Sequence, residues 1–415
     1  MDNARLTADL AARLPAALEL LRRMVGINSW TDNPEGVNRL GELTAEAFAP
    51  LGFTAEFVPH ARPGWGRHLV LTRTGTGGPT LALVSHLDTV FPPEEEARNQ
   101  FRWQPEGDRI YGPGTHDIKG GTVMMWLVLA ALRDLAPADF DRATWKLLLN
   151  ASEETLSEHF GDVCRARLGP ETRAILVFEA EGRAPGGRAL VRSRKGRGTW
   201  RATVLGRGAH AGVKHPHGAN ALVQLAHTCQ EIARLTDDDR SLTFNVATVR
   251  GGTGLNRVPH EAVAEGEFRA FTPEAYQAGK ARLLALGGPG QVASRHDGFR
   301  CQVRMELLAE SRPWPRNPGT DALLALWQEI GATLGQTVVP EDRGGLSDGN
   351  LLWDLAPTID GLGPGGDHDH CSERSADGSK LPEYVDVGTF VPKATLNFLA
   401  LRRLIQHPLP PPSPI

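Results

Sequence analysis

The chain has 415 residues, of which 40% are hydrophobic and 23% charged, and its formal net charge is −4. This length predicts two or three domains with cores of their own and excludes a small scaffold stapled by disulfides or metal. The composition is typical of a soluble globular protein rather than a disordered one. Since no long basic run interrupts the charge balance, we expect no nucleic-acid partner.

The N-terminal 25 residues predict an amphipathic helix rather than a signal peptide, because charged residues interrupt the apolar ones. The longest apolar stretch, Gly120 to Leu132, is too short to span a bilayer. Four cysteines lie far apart without a Cys-x-x-Cys pair, which favours a reducing compartment. We therefore expect a cytoplasmic protein that does not associate with membranes.

From Thr80 onward, short apolar runs alternate with helical patterns. This alternation is typical of an α/β domain with a mostly parallel sheet and helices on both faces. The runs predict strands over 81–84, 145–149 and 174–178, and the periodic segments predict helices over 120–135 and 157–168. Because the strand runs are continuously apolar, we expect both faces of the sheet to be buried.

After about residue 188 the pattern changes to period-two alternation, which predicts an antiparallel sheet with helices on one face. The predicted strands cover 200–205, 243–250, 262–271 and 301–308, and the predicted helices cover 219–235 and 273–286. Beyond Arg312 the α/β pattern returns, with helices over 321–334 and 389–405 and a short strand ending at Asp360. This last segment has too few strands to stand alone. We therefore predict a catalytic domain from residues 1–187 and 311–415, and an inserted α+β domain over 188–310.

Histidines and carboxylates recur where the apolar strands end. The segments are His86-Leu-Asp88, Asp117 before an apolar helix, Glu153-Glu154, Glu179-Ala-Glu181 and Asp367-His-Asp-His370. Each has an ordinary explanation alone, such as helix capping by Asp117. Together they would gather at one edge of the sheet, where α/β proteins bind ligands. Two histidines and three carboxylates, one of them bridging, can hold two zinc ions, and a spare carboxylate can act as general base. Glu179 competes with Glu181 for one position and His370 with His368 for another; Glu179 is favoured because it directly ends its strand.

Several motifs then identify a resemblance that covers nearly the whole chain in order. They are Ser85-His-Leu-Asp-Thr-Val90, Gly112-Pro-Gly-Thr-His-Asp-Ile-Lys-Gly-Gly121, Ser152-Glu-Glu154, Phe178-Glu179 and Gly208-Ala-His-Ala-Gly212. The chain resembles the dinuclear zinc aminoacylase/carboxypeptidase family, and in outline its glutamate carboxypeptidase branch most closely. The resemblance implies a hydrolase that cleaves an amide or peptide bond beside a free carboxylate. Deacylation of N-acyl amino acids is the alternative within the family.

The resemblance also implies a role for each site residue. One zinc would be held by His86, Asp117 and Glu179, and the other by Asp117, Glu154 and His370, with cobalt or manganese as substitutes. The family's spacing favours His370 over His368. Asp88 would orient His86, and Glu153 would be the general base.

Further roles fall in and beside the inserted domain, through which the family forms homodimers. His210 would stabilise the oxyanion from the partner subunit. Asn256 and Arg269, and more weakly Arg312, would bind the substrate carboxylate. Two departures from the family pattern, at 344–348 and 371–382, bear on the substrate pocket rather than on the metals.

Three rival hypotheses remain. Gly345-Leu-Ser347-Asp-Gly349 matches the nucleophile elbow of serine hydrolases, with Asp360 and His370 following in α/β-hydrolase order, although the segment before Ser347 is a poor strand. Gly361 to Gly366 fits a dinucleotide-binding pattern, but no helix pattern follows it. A non-catalytic protein of the same fold would require a broken ligand set, whereas every ligand type is present.

Overall fold

The structure is a computed structural model that describes residues 2–155, 158–184 and 187–409. Its contacts divide the chain into two compact units. Unit 1 contains the described residues up to Arg192, Arg316–Asp342, and the described residues from Ser347 onward. Unit 2 contains Ser193–Pro315 and Arg343–Leu346. Both boundaries lie a few residues C-terminal to those expected from the sequence, and the short segment Arg343–Leu346 was not expected in the inserted unit.

The first part of the chain forms these helices and strands, of which only the last two residues of β9 belong to unit 2: α1 (Asn3–Val25), α2 (Pro34–Phe48), β1 (Thr54–Val58), β2 (His68–Arg73), β3 (Thr80–His86), α3 (Pro93–Asn99), β4 (Gln104–Glu106), β5 (Arg109–Tyr111), α4 (Lys119–Leu135), α5 (Pro137–Arg142), β6 (Thr144–Asn150), α6 (Glu158–Arg165), β7 (Thr172–Val177), β8 (Gly182–Ala184) and β9 (Gly187–Arg194). The first residue of the helix predicted over 157–168 lies outside the described residues.

The central sheet of unit 1 has the order β1-β2-β6-β3-β7-β16, where β16 is Thr358–Ile359. Strand β3 pairs in parallel with β6 and β7, and β16 pairs in parallel with β7. The antiparallel strands β1 and β2 complete one edge. The late segment of the chain therefore adds a strand to the first sheet, and the carboxyl ends of β3, β6 and β7 lie at one edge.

Alternate residues of these strands pack into two different cores. Leu83 and Leu147 belong to the core that includes α1, α4 and α11 (Phe390–Gln406), whereas Val84 and Leu148 pack with Phe160 of α6. Successive side chains of a strand point to opposite faces, so the continuous apolar runs reflect a sheet covered on both sides. This confirms the predicted α/β architecture.

Unit 2 contains β10 (Gly196–Leu205), α7 (Ala221–Ala233), β11 (Thr243–Gly251), β12 (Glu261–Ala270), α8 (Pro273–Leu284), β13 (Gly288–Ala293) and β14 (Arg300–Ser311). Its strands form an antiparallel sheet of order β11-β12-β10-β14-β13. Trp200 and Phe268 from the sheet, Leu225 from α7 and Tyr276 from α8 share one core. Strand β13 was not predicted, because the Gly-Pro-Gly sequence at its start is typical of a turn.

The remaining elements are α9 (Pro318–Thr333), β15 (Val338–Arg343), α10 (Gly349–Leu352), β17 (Gly366–Asp367) and β18 (Tyr384–Asp386). Strands β17, β18, β5 and β4 form a small sheet, and β15, β9 and β8 form another. No helix in the described ranges combines the length and the apolar character that crossing a bilayer requires.

Candidate active site and metal centre

His86, the last residue of β3, is 2% exposed. Its Nδ1 donates a hydrogen bond to the backbone carbonyl of Asp88 at 3.0 Å. Its Nε2 lies 3.0 Å from Asp117 Oδ1 and 3.7 Å from Glu179 Oε1. The second ring nitrogen therefore faces two carboxylates.

A second group of donors shares Asp117 with the first. His370 Nε2 lies 3.3 Å from Asp117 Oδ2 and 3.3 Å from Glu154 Oε2. In each of the two groups, one donor atom per residue lies within 4.8 Å of the others. One oxygen of Asp117 thus faces each group, as a bridging carboxylate requires.

The donor set fits divalent cations. The carbonyl of Asp88 can only accept, so Nδ1 of His86 carries the hydrogen and Nε2 of a neutral ring directs a lone pair at Asp117. A lone pair and an anionic oxygen at 3.0 Å repel each other unless a proton or a metal ion lies between them. Burial by itself would lower the pKa of His86, but hydrogen bonds to Asp117 and Asp88 raise it well above its ordinary value. The site is therefore built to hold positive charge between these atoms.

The second group has the same electrostatic character. Hydrogen bonds to Asp117 and Glu154 raise the pKa of His370 to about 11. Burial, followed by the charge of Asp117, raises the pKa of Glu154 to about 7. Protons held between closely spaced imidazole and carboxylate groups are what divalent metals displace on binding.

Glu153 precedes the donor Glu154 in the chain and belongs to neither group. Burial, and then the charges of Glu179 and Asp348, raise its pKa well above the ordinary value, although His86 acts in the opposite direction. A carboxylate whose pKa is raised toward neutrality is suited to proton transfer.

Asp88 contacts more than His86. Its Oδ1 lies 3.5 Å from His86 Nδ1, farther than its own backbone carbonyl, which takes the hydrogen bond. The carboxylate accepts the backbone N–H groups of Glu153 at 3.0 Å and Glu154 at 3.2 Å. It also accepts the hydroxyl of Thr31 at 2.7 Å. Asp88 therefore fixes the turn after β6 as well as the histidine.

The competing residues lie elsewhere. Glu181 pairs with Arg188 at 2.8 Å and with the buried Lys393 at 3.1 Å. The side chain of His368 lies near Tyr384, with ring centroids 5.9 Å apart. His116, the residue before Asp117, is not a competitor by its position but is a further histidine close to the donors, and it bonds Asp369 through Nδ1. None of these three belongs to the two donor groups that the described residues form around Asp117.

Asp117 does not cap the helix that follows it. Helix α4 begins at Lys119, its N-cap position is Ile118, and no side chain caps it. The backbone N–H groups of His116 and Asp117 instead donate to Glu383 Oε1 at 2.9 and 3.1 Å. Glu383 was missed by the sequence reasoning, since it lies more than 260 residues from Asp117 and belongs to no motif.

Asp348 is a second buried carboxylate whose contacts were not anticipated. Its Oδ1 accepts Asn150 Nδ2 at 2.7 Å, and burial raises its pKa to about 7. The aspartate that ends the 344–348 segment therefore contacts the end of β6, in the same unit as the donors.

The nucleophile-elbow hypothesis for Ser347 is not supported. Its hydroxyl donates to Asp360 Oδ2 at 2.9 Å and accepts the N–H of Gly349 at 3.1 Å. Among the described residues no histidine is hydrogen-bonded to Ser347, and His370 contacts Asp117 and Glu154 instead. A serine nucleophile needs a base within hydrogen-bond reach.

The remaining predicted residues lie in unit 2. Exposed His210 accepts the N–H groups of Gly212 and Val213 through Nδ1. The carbonyl of Asn256 accepts the N–H of Ala211, the residue after His210. Arg269 lies near the opposite end of β12, where it bonds Glu267 and the carbonyl of Gly344. Arg312 follows β14. The structure thus brings His210 and Asn256 together and separates both from Arg269.

Comparison with known proteins decides the family. The sequence signature of Peptidase family M20/M25/M40 matches residues 82–389. The chain belongs to this family. The result confirms the resemblance inferred from the motifs, and the M20 signature includes all five predicted metal ligands.

Relatives are similar over most of their length. Carboxypeptidase G2 from a Pseudomonas species is 29% identical over 381 residues, which cover 90% of this chain and 85% of that protein. Succinyl-diaminopimelate desuccinylase from Bordetella petrii is 30% identical over 364 residues, covering 84% and 90%. Among solved structures, aminopeptidase PepT from Bacillus cereus has a TM-score of 0.76 at 20% identity, covering 94% and 98%. A dinuclear metal binding peptidase from Bacillus subtilis has a TM-score of 0.65 at 14% identity, covering 95% and 99%. The M20 fold therefore extends over both units.

Proposed function

We propose that this M20 protein is a homodimeric, zinc-dependent hydrolase that cleaves an amide or peptide bond beside a free carboxylate. The observation that carries the proposal is the pair of donor groups that share Asp117, with the buried carboxylate of Glu153 next to them. Imidazole and carboxylate donors suit zinc, and the same set accepts cobalt or manganese. When bound, two such ions polarise the scissile carbonyl and lower the pKa of water to near neutrality.

Each candidate site residue then has a defined role. His86, Asp117 and Glu179 would hold one ion, and Asp117, Glu154 and His370 the other. Glu153 would take a proton from the attacking water and pass it to the leaving amine. Asp88 would hold the turn that carries Glu153 and orient His86. His210 would donate to the developing oxyanion.

The substrate proposal rests on the relatives and on arginine chemistry. Two about equally similar relatives are named a carboxypeptidase and a succinyl-diaminopimelate desuccinylase, names that indicate cleavage beside a terminal carboxylate and removal of a succinyl group. Arg269, with Asn256 and Arg312, would bind that carboxylate, because the guanidinium fork pairs with both of its oxygens. Peptide cleavage is our first candidate. Deacylation of an N-acyl amino acid is the second candidate, because a desuccinylase is 30% identical to this chain.

The geometry of unit 2 supports the homodimer. His210 and Asn256 lie beside the start of β12, whereas Arg269 is eight residue steps further along it. At about 3.4 Å per residue, these positions are roughly 27 Å apart, too far to reach one small substrate from a single copy of unit 2. Two copies could supply His210 and Arg269 to the same site. Strand β11 lies at the edge of the sheet and exposes Val249, and α7, packed beside it, exposes Leu222 and Val223.

A substrate panel tests the proposal. Purified, zinc-loaded protein should hydrolyse members of a panel of dipeptides and N-acyl amino acids, and should ignore the matching substrates whose carboxylate is amidated. Activity should disappear with a chelator, return with zinc and withstand a serine-directed phosphonate. Hydrolysis that survives complete metal removal would refute the proposal.

A further inference from the structure

Three histidines outside the metal centre form a cluster in unit 1, which we call the histidine cluster: His60, His68 and His159. Their ring centroids lie 5.0 to 5.3 Å apart. His68 is fully buried and contacts Phe160, and His68 Nε2 lies 3.2 Å from His159 Nδ1. One nitrogen of each residue lies within 4.8 Å of the others, close enough to hold a metal ion.

The hydrogen bonds argue against a metal at this cluster. His68 Nδ1 accepts the N–H of Ala151 at 3.1 Å, and His60 Nδ1 accepts the N–H of Arg62 at 2.8 Å. An Nδ1 atom that accepts cannot carry hydrogen, so both neutral rings are protonated at Nε2. A metal at either Nε2 would require the opposite tautomer. The cluster is instead a hydrogen-bonded assembly, in which His68 Nε2 donates to His159 and His60 Nε2 donates to Ser152 Oγ at 3.2 Å.

These bonds reach the turn that follows β6, residues 151–154. Each of the four backbone N–H groups of the turn donates a hydrogen bond to a side chain. Ala151 donates to His68, Ser152 donates to Asn150 Oδ1 at 3.0 Å, and Glu153 and Glu154 donate to Asp88. The turn is thus held from two sides, by Asp88 and by the histidine cluster. Because buried N–H groups need partners, the turn depends on these side chains for its conformation.

We propose that His60 and His68 are positioning residues that fix the turn carrying Glu153, His68 through Ala151 and His60 through Ser152. This inference rests on the proposed function, in which Glu153 transfers the proton. Proton transfer is sensitive to displacements of about 1 Å, which can cost about a hundredfold in rate. In this role both histidines act on Glu153 through the turn, His68 at Ala151 and His60 at Ser152.

The test compares two substitutions of His68 in the zinc-loaded, full-length enzyme. His68→Leu removes the acceptor for Ala151, and we expect kcat to fall about tenfold or more while metal content is kept and KM changes less than about twofold. His68→Asn keeps an oxygen near the Nδ1 position and should recover most of the lost kcat. His60→Gln, which keeps a donor for Ser152, should likewise exceed His60→Leu in kcat.

Phe140→Leu is the matched control, since Phe140 is a fully buried ring of unit 1 that packs on Trp145 instead of the turn. It should lower the midpoint of thermal unfolding without changing kcat. If His68→Leu behaves like Phe140→Leu, the histidines are merely structural and the inference is wrong, while the proposed function stands. If the wild type lacks chelator-sensitive hydrolysis, the proposed function fails and the inference with it.

A measurement that does not depend on activity determines which ring nitrogen of His60 and of His68 carries the hydrogen. In ¹⁵N NMR spectra of the histidine side chains, His60 and His68 should both appear as neutral rings protonated at Nε2. An Nδ1-protonated ring at His68, or a further equivalent of zinc that is lost in His68→Leu, would show a metal site and overturn the inference.

Discussion

His370 adopts the left-handed backbone conformation, with φ 64°, as does His368 two residues before it. For residues other than glycine this conformation costs about 1 kcal/mol or more, and residues that adopt it concentrate at functional sites. The segment 368–370 therefore places His370 against Asp117 and Glu154 in a strained backbone conformation. The family's spacing favours His370 over His368, and among the described residues it is His370 that joins the group of Asp117 and Glu154.

The ionisation of His68 gives a prediction about stability at the residue scale. Burial, and then the nearby His60, His159 and Arg167, lower the pKa of His68 from 6.5 to about 3. Between these values the unfolded chain binds more protons than the folded one. The contribution of His68 to stability is therefore complete above pH 6.5 and is lost as the pH falls toward 3.

Calorimetry at steps between pH 7 and pH 5 checks this. The unfolding midpoint of the wild type should fall more steeply with decreasing pH than that of His68→Asn, which has no group to titrate there. Parallel curves for the two proteins would contradict the pKa assigned to His68.

The sequence predicts the donors His86, Glu154 and Glu179 because they follow strands whose apolar runs are easy to recognise, and the structure brings all three into the groups that share Asp117. Sequence reasoning could not locate Glu383 or Thr31, because their hydrogen bonds to Asp117 and Asp88 join segments far apart in the chain. It also assigned Asp88 to His86 alone, whereas most contacts of that carboxylate are with the turn after β6.

At the scale of elements, the close approach of α4 to the end of β7 places Asp117 beside Glu179. A Cβ added to Gly121 in α4 would lie 1.9 Å from the carbonyl oxygen of Phe178. No side chain fits there, so glycine permits the contact. Alanine is the better helix former by about 1 kcal/mol, yet here it must push the helix from the strand end.

We therefore predict that Gly121→Ala destabilises the protein by about 1–3 kcal/mol or more and weakens metal binding. Gly161→Ala in α6 is the matched control, because its Cβ would meet Leu351 at an ordinary 3.4 Å. Denaturant titration of both variants measures the difference. Equal stabilities would show that the helix can shift freely and that its fit against β7 is unimportant.

The elements that the sequence predicted well are those with strong periodicity or continuous apolar runs, such as α1, β3, β6 and β12. Strands β1 and β13 were missed for physical reasons. Strand β1 exposes most of its residues at the sheet edge, and β13 begins with Gly-Pro-Gly. Neither has the pattern of a half-buried strand.

At the scale of the whole molecule, the proposed homodimer links quaternary structure to activity. A double variant, Leu222→Glu with Val249→Asp, places charges on the exposed face of α7 and β11. We expect it to shift sedimentation from dimer to monomer and to lose kcat in parallel, since His210 would act from the partner. Leu308→Glu, at a residue of similar exposure on β14, should leave both unchanged. A fully active monomer would contradict the shared site.

The most direct test of the metal centre measures metal content and turnover on the same samples of two variants. Glu153→Gln should keep both metal ions and lose turnover by about three orders of magnitude or more, because the proton acceptor is gone while the ligands remain. Asp117→Asn should lose metal as well as turnover, because the residue common to both donor groups is weakened. Turnover that survives in Glu153→Gln, or full metal content in Asp117→Asn, would contradict the assignment of this site.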